Sequence, residues 1–63
     1  MTAREIIKRL NKEGWHEDRQ NGSHKIFKHA DKPGARVNVP VHPGDVRDAV
    51  LKDIYEKAGW GKP

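Results

Sequence analysis

Only four side chains in this sequence exchange a proton near neutral pH: His16, His24, His29 and His42, because there is no cysteine. His24 stands apart from the others. It directly follows Asn21-Gly22-Ser23, so a tight turn delivers an imidazole to the start of a predicted strand. An exposed imidazole titrates near ~6.5, which makes both protonation states available at neutral pH. Such a group suits cleavage of RNA by transesterification. That reaction needs a base for the 2′-hydroxyl proton, an acid for the leaving 5′-oxygen, and cations to offset charge on the phosphate. One histidine supplies one of the two proton transfers, worth roughly 10²–10⁴-fold.

The surrounding residues fit a phosphate partner. Arg19, Lys25, Lys28 and Arg36 are candidate phosphate clamps. Gly22 permits close approach of a backbone, and Ser23 offers a hydroxyl and an amide. Taken alone, these residue types leave two readings open for His24, a proton-transfer group or an ordinary surface histidine. A metal site is not expected. The four histidines show no ligand spacing, there is no HExxH, and no carboxylates cluster tightly. Gly14, Gly22 and Gly34 read as turns or caps and not as a phosphate-binding loop, so no cofactor is expected either.

The elements that must position His24 can be read in order. Thr2 and Glu5 form a capping box. Ala3, Ile6, Ile7 and Leu10 follow at helical spacing. Glu5 and Arg9 are spaced for an i,i+4 pair. Gly14 closes this helix, and Trp15 folds back on its last turn. Trp15 to Gln20 is a short strand, Asn21-Gly22 a hairpin turn, and His24 to His29 a second strand. After a turn over Ala30-Asp31-Lys32-Pro33-Gly34-Ala35, Arg36 to Val41 is a third strand with Val37, Val39 and Val41 on its core face. Pro40 marks it as an edge strand or a strand end. Asp45 is the expected N-cap of a second helix. That helix carries a stripe of Val46, Ala49, Val50, Ile54 and Ala58, widened by Leu51 and Tyr55. Asp48–Lys52 and Asp53–Lys57 are expected pairs, Gly59 is the stop, and Trp60 to Pro63 is a loose tail.

The expected fold class is therefore α+β, a two-layer α-β-β-β-α domain over residues 1–63. Its three-stranded antiparallel sheet would carry both helices on one face. Alternation then puts His24, Ile26 and Lys28 on the open face, and Phe27 in the core with Lys25 and His29 on its side.

The chain has 63 residues, which bounds it to one small domain burying about 60% of its unfolded surface. There is no depth for an enclosed substrate chamber, so any site is shallow and its substrate large. The absence of cysteine excludes disulfides and thiolate metal sites and fits a reducing compartment. No apolar run approaches the ~20 residues of a membrane span, so no membrane partner is expected and a cytoplasmic location is. A net charge of +4 points to an anionic partner, most commonly nucleic acid.

Gly22-Ser23-His24-Lys25-Ile26-Phe27 is similar to the GSHxxF signature of the HicA toxins, also called YcfA-like proteins. The resemblance extends through Gly14-Trp15, Arg19, Lys32-Pro33-Gly34, Val37-Asn38-Val39-Pro40, His42-Pro43, Asp45 and Leu51…Ile54…Lys57-Ala58-Gly59. It implies a double-stranded-RNA-binding-domain-like fold and a toxin that cleaves mRNA without a metal, with His24 as its catalytic residue. The implied partners are RNA and a HicB-type antitoxin that covers the active face. Two other readings use the same surface: a non-catalytic RNA-binding module, and an interaction protein whose open face pairs with such a partner. The sequence departs from the family pattern at Glu17-Asp18, Asn38 and Ala49, none of which is expected to touch His24.

Overall fold

The computed structural model describes residues 1–63. The elements run α1 (Ala3–Lys12), β1 (Trp15–Asn21), β2 (His24–His29), β3 (Val37–Pro40) and α2 (Asp48–Ala58). The strands form an antiparallel meander in the order β1-β2-β3. This is the expected α+β order.

Helix α1 begins where the capping box places it. The Thr2 hydroxyl accepts from the Glu5 amide at 3.2 Å, and the Thr2 amide donates to Glu5 Oε1 at 2.8 Å. With Glu5 used in this way, Arg9 pairs with Glu13 at 2.9 Å rather than with Glu5. The apolar stripe buries Ala3, Ile6 and Leu10, while Ile7 is partly covered. Gly14 then turns the chain with φ +95°, and a Cβ built there would lie 2.7 Å from His29 Nε2. Glycine is required twice over at this position, by backbone conformation and by the ring beside it.

The hairpin differs from expectation by one residue. Asn21 pairs with His24, so the two turn residues are Gly22 and Ser23. Gly22 has φ +60° and Ser23 a negative φ, the pattern of a type II′ turn with glycine first. Asn21 thus extends β1 beyond Gln20. A bulge between Glu17 and Arg19 gives β1 one residue more than β2 opposes, which projects Asp18 out of register.

Strand β3 is shorter than expected, Val37–Pro40 instead of Arg36 to Val41. Val37 and Val39 are fully buried opposite Phe27 and Lys25. Val41 is 37% exposed and lies outside the strand, although its amide still donates to the Ser23 carbonyl at 2.7 Å.

Helix α2 starts later than expected. Asp45 forms an isolated antiparallel bridge with Thr2, and the Val46 amide donates to the Met1 carbonyl at 2.8 Å. That pairing ties residues 45 and 46 to the start of the chain. The N-cap falls to Arg47, which makes no side-chain capping bond. The helix buries Leu51, Ile54 and Ala58, leaving Val46 and Val50 partly covered and Ala49 exposed. Asp53–Lys57 forms at 3.0 Å, but Asp48 and Lys52 do not pair. Gly59 ends the helix at φ +77°, as expected.

The tail is not loose at Trp60. Its indole N–H donates to Glu13 Oε1 at 2.7 Å, the Arg9 guanidinium lies 4.0 Å from its ring centre, and Tyr55 meets it edge-on.

Ten buried residues make one core between the layers: Ala3, Ile6 and Leu10 of α1, Trp15, Phe27, Val37 and Val39 of the sheet, and Leu51, Ile54 and Ala58 of α2. Both helices therefore cover the Phe27 face. The opposite face, carrying His24, Ile26, Asn38 and Pro40, is left open. No helix is long and apolar enough to cross a membrane.

Candidate active site

His24 is exposed at the first position of β2. Pro40 is its cross-strand partner and Asn38 lies one pair further along the same face. The side chains of His24 and Asn38 meet directly, Nδ1 to Oδ1 at 2.9 Å. Asn38 therefore touches His24, contrary to expectation. A carbonyl oxygen only accepts, so Nδ1 carries the hydrogen and the free lone pair of the neutral ring is on Nε2.

A cleft of about 550 Å³ opens beside this pair. It runs around the β3 edge to the beginning of α2, and its polar lining includes His24, Asn38, His42, Asp45, Arg47 and Asp53. Pro40, Val46 and Val50 supply apolar wall. The carboxylates have cationic neighbours: Asp45 is 3.6 Å from the Met1 ammonium, and Asp53 is 3.0 Å from Lys57. Arg47 forms no ion pair, so it is the free cation of the cleft.

The expected phosphate clamps are dispersed. Lys28 and Arg19 share the open face with His24, yet both are ion-paired to Asp18, at 3.1 and 3.3 Å. Hydrogen bonds first from Lys28 and then from Arg19 hold the Asp18 carboxyl below the usual range. Lys25 stands on the helix-covered side and pairs with Glu17 at 3.2 Å. Arg36 precedes β3, and its guanidinium donates to the Ala35 carbonyl. Gly22 and Ser23 form the turn itself. The structure thus brings His24, Gly22 and Ser23 together, with Arg19 and Lys28 further along the face. It separates Lys25 and Arg36 from them.

The remaining histidines divide by environment. His42 stands edge-on to His24 with ring centres 6.5 Å apart. His29 is occupied at both nitrogens, donating from Nε2 to the Glu13 carbonyl at 2.9 Å and accepting the Asp31 amide at Nδ1 at 3.0 Å. It also packs edge-on against Trp15. His16 sits opposite Lys28, at the far end of the sheet from the turn. Asn38, His42 and Arg47 thus line the cleft with His24, and the sequence reading named none of them as a site residue. Alternation along the third strand was the one available signal for Asn38.

A family model described as the HicA toxin of bacterial toxin–antitoxin systems matches residues 3–60. The chain belongs to the HicA toxin family. The match runs from the first residue of α1 to Trp60, so every element that frames the cleft lies within it. Membership makes it the toxin type of a toxin–antitoxin pair, which implies an antitoxin partner. No curated protein matches the chain.

Proposed function

We propose that this HicA-family chain is an endoribonuclease that cleaves mRNA in the cytoplasm, using His24 for proton transfer at the scissile phosphate. It carries this chemistry on a double-stranded-RNA-binding-domain-like arrangement of two helices and a sheet. The observation that carries the proposal is the 2.9 Å contact between Asn38 and His24, which leaves an exposed Nε2 free on the open face. A neutral imidazole in this state takes the 2′-hydroxyl proton. The resulting 2′-oxygen attacks the adjacent phosphorus, so the products carry a 2′,3′-cyclic phosphate and a 5′-hydroxyl. Arg47 and, after exchange of Asp18 for phosphate, Lys28 and Arg19 offset the charge of the RNA backbone. A HicB-type antitoxin would silence the protein by covering the same face.

Expression of the wild type without its partner should stop growth and fragment transcripts. His24→Ala should do neither, and purified His24→Ala should cut RNA roughly 10²–10⁴-fold more slowly. RNA that is shifted but uncut by wild type would instead favour a passive binding module. Products ending in 5′-phosphate and 3′-hydroxyl would reject attack by the 2′-oxygen.

A further inference from the structure

Transesterification moves two protons, and the His24 Nε2 lone pair accounts for only one of them. The leaving 5′-oxygen needs a donor on the other side of the phosphorus. The cleft contains few groups able to serve. Asp45 and Asp53 are each engaged by an ammonium group, at 3.6 and 3.0 Å. Arg47 keeps its proton throughout, as guanidinium does. His29 has both nitrogens engaged, and His16 lies beside Lys28 away from the turn. His42 remains.

The fold holds His42 in place by means that do not depend on its own side chain. Pro40 is paired with His24, and the next amide, Val41 N–H, donates to the Ser23 carbonyl at 2.7 Å. The backbone is therefore still fastened to the Gly22–Ser23 turn one residue before His42. As a result the two rings line the same cleft, 6.5 Å between centres with planes at 88°. Hydrogen bonds of about 2.6–3.2 Å from each ring to two oxygens on one phosphorus span a gap of this order.

We propose that His42, as an imidazolium, is the proton donor to the leaving 5′-oxygen, opposite His24 as the base. The assignment rests on the nuclease reading of His24. In the step, His24 Nε2 takes the 2′-hydroxyl proton and the 2′-oxygen forms its bond to phosphorus. The phosphorus–O5′ bond breaks with its electron pair on O5′, and O5′ takes the proton from His42. His24 ends protonated and His42 neutral, so charge and protons balance within the pair. Arg47, which lines the same cleft, is the cation for the non-bridging oxygens.

A sulfur leaving group tests this assignment, because a thiolate departs without being protonated. Wild type, His24→Ala and His42→Ala are compared on one oligoribonucleotide cut at a mapped position. A matched oligonucleotide carries a 5′-bridging phosphorothiolate at that position. His42→Ala should lose roughly 10²–10⁴-fold on ordinary RNA and recover to near wild-type rate on the sulfur substrate. His24→Ala should stay slow on both. Circular dichroism of each variant confirms that it is folded, and His42→Gln repeats the measurement with a bulkier neutral side chain. Ordinary RNA cut by His42→Ala at near wild-type rate overturns the assignment alone. An equal deficit on both substrates also overturns it, since His42 would then bind or position and not donate. Wild type that cuts neither substrate overturns the nuclease reading itself, and this assignment with it.

Discussion

The contact between Asn38 and His24 spans 14 residues of sequence, and it fixes both the ring plane and the tautomer of the imidazole. Asn38 is exposed and buries nothing, so its removal should leave the fold intact while freeing the ring to rotate. Asn38→Ala should therefore lower kcat roughly 10–100-fold with little change in KM, as expected when a reacting group loses its alignment. Steady-state cleavage assays beside a melting curve separate this outcome from simple destabilisation. His24 could be singled out in the sequence because a local signal, the turn, places it. Asn38 could not be tied to it, since alternation gives only its face. The register of β3 against β2 decides which residue it meets, and that register is set by the burial of Val37 and Val39 against the whole core.

At the scale of elements, the β1 bulge decides which charges meet on the open face. It sets the Asp18 carboxylate between Lys28 and Arg19, so an internal anion occupies both cations. Asp18→Asn should release both. RNA binding should tighten at low salt, and the slope of log affinity against log salt should steepen by about 1 for each cation released. Fluorescence anisotropy across a potassium chloride series measures it. Lys28 and Arg19 are visible in the sequence as basic residues, but their neutralisation is not, because a bulge shifts the partner of every residue before it. The helices show the same division. The α1 start was legible because Thr2 and Glu5 are three residues apart. The α2 start was not, because Asp45 is drawn away by Thr2 at the opposite end of the chain. Trp60 likewise looked like a free tail until Glu13, 47 residues earlier, received its indole N–H.

Across the whole molecule, acid acts on three scattered carboxyls. The Thr2 backbone bond first, and then the Thr2 side chain, depress Glu5; Arg9 and then Trp60 depress Glu13; Lys28 and then Arg19 depress Asp18. Each folded-state value lies below the unfolded one. The stability each contributes is therefore present above the unfolded value, near ~4, and is lost as pH falls through the folded value. Glu13→Gln should melt below wild type at neutral pH, and the gap should close below about pH 4. Thermal scans of both proteins in matched buffers check it. The layer order was readable because amphipathic periodicity is a property of each segment alone. The cleft was not, since it exists only where β3, the following loop and α2 converge. The core is small, and each of the five elements supplies part of it. A core of this size supplies no more than about 3–5 kcal/mol, while truncating one buried aliphatic side chain removes about 2–5. Genetic selection for cells that survive the toxin should accordingly recover two kinds of lesion in comparable numbers. One kind strikes the cleft and leaves a folded, partner-binding protein. The other is spread among Leu10, Trp15, Phe27, Val39 and Ile54 and leaves little protein to detect, so immunoblotting the survivors sorts chemistry from architecture residue by residue.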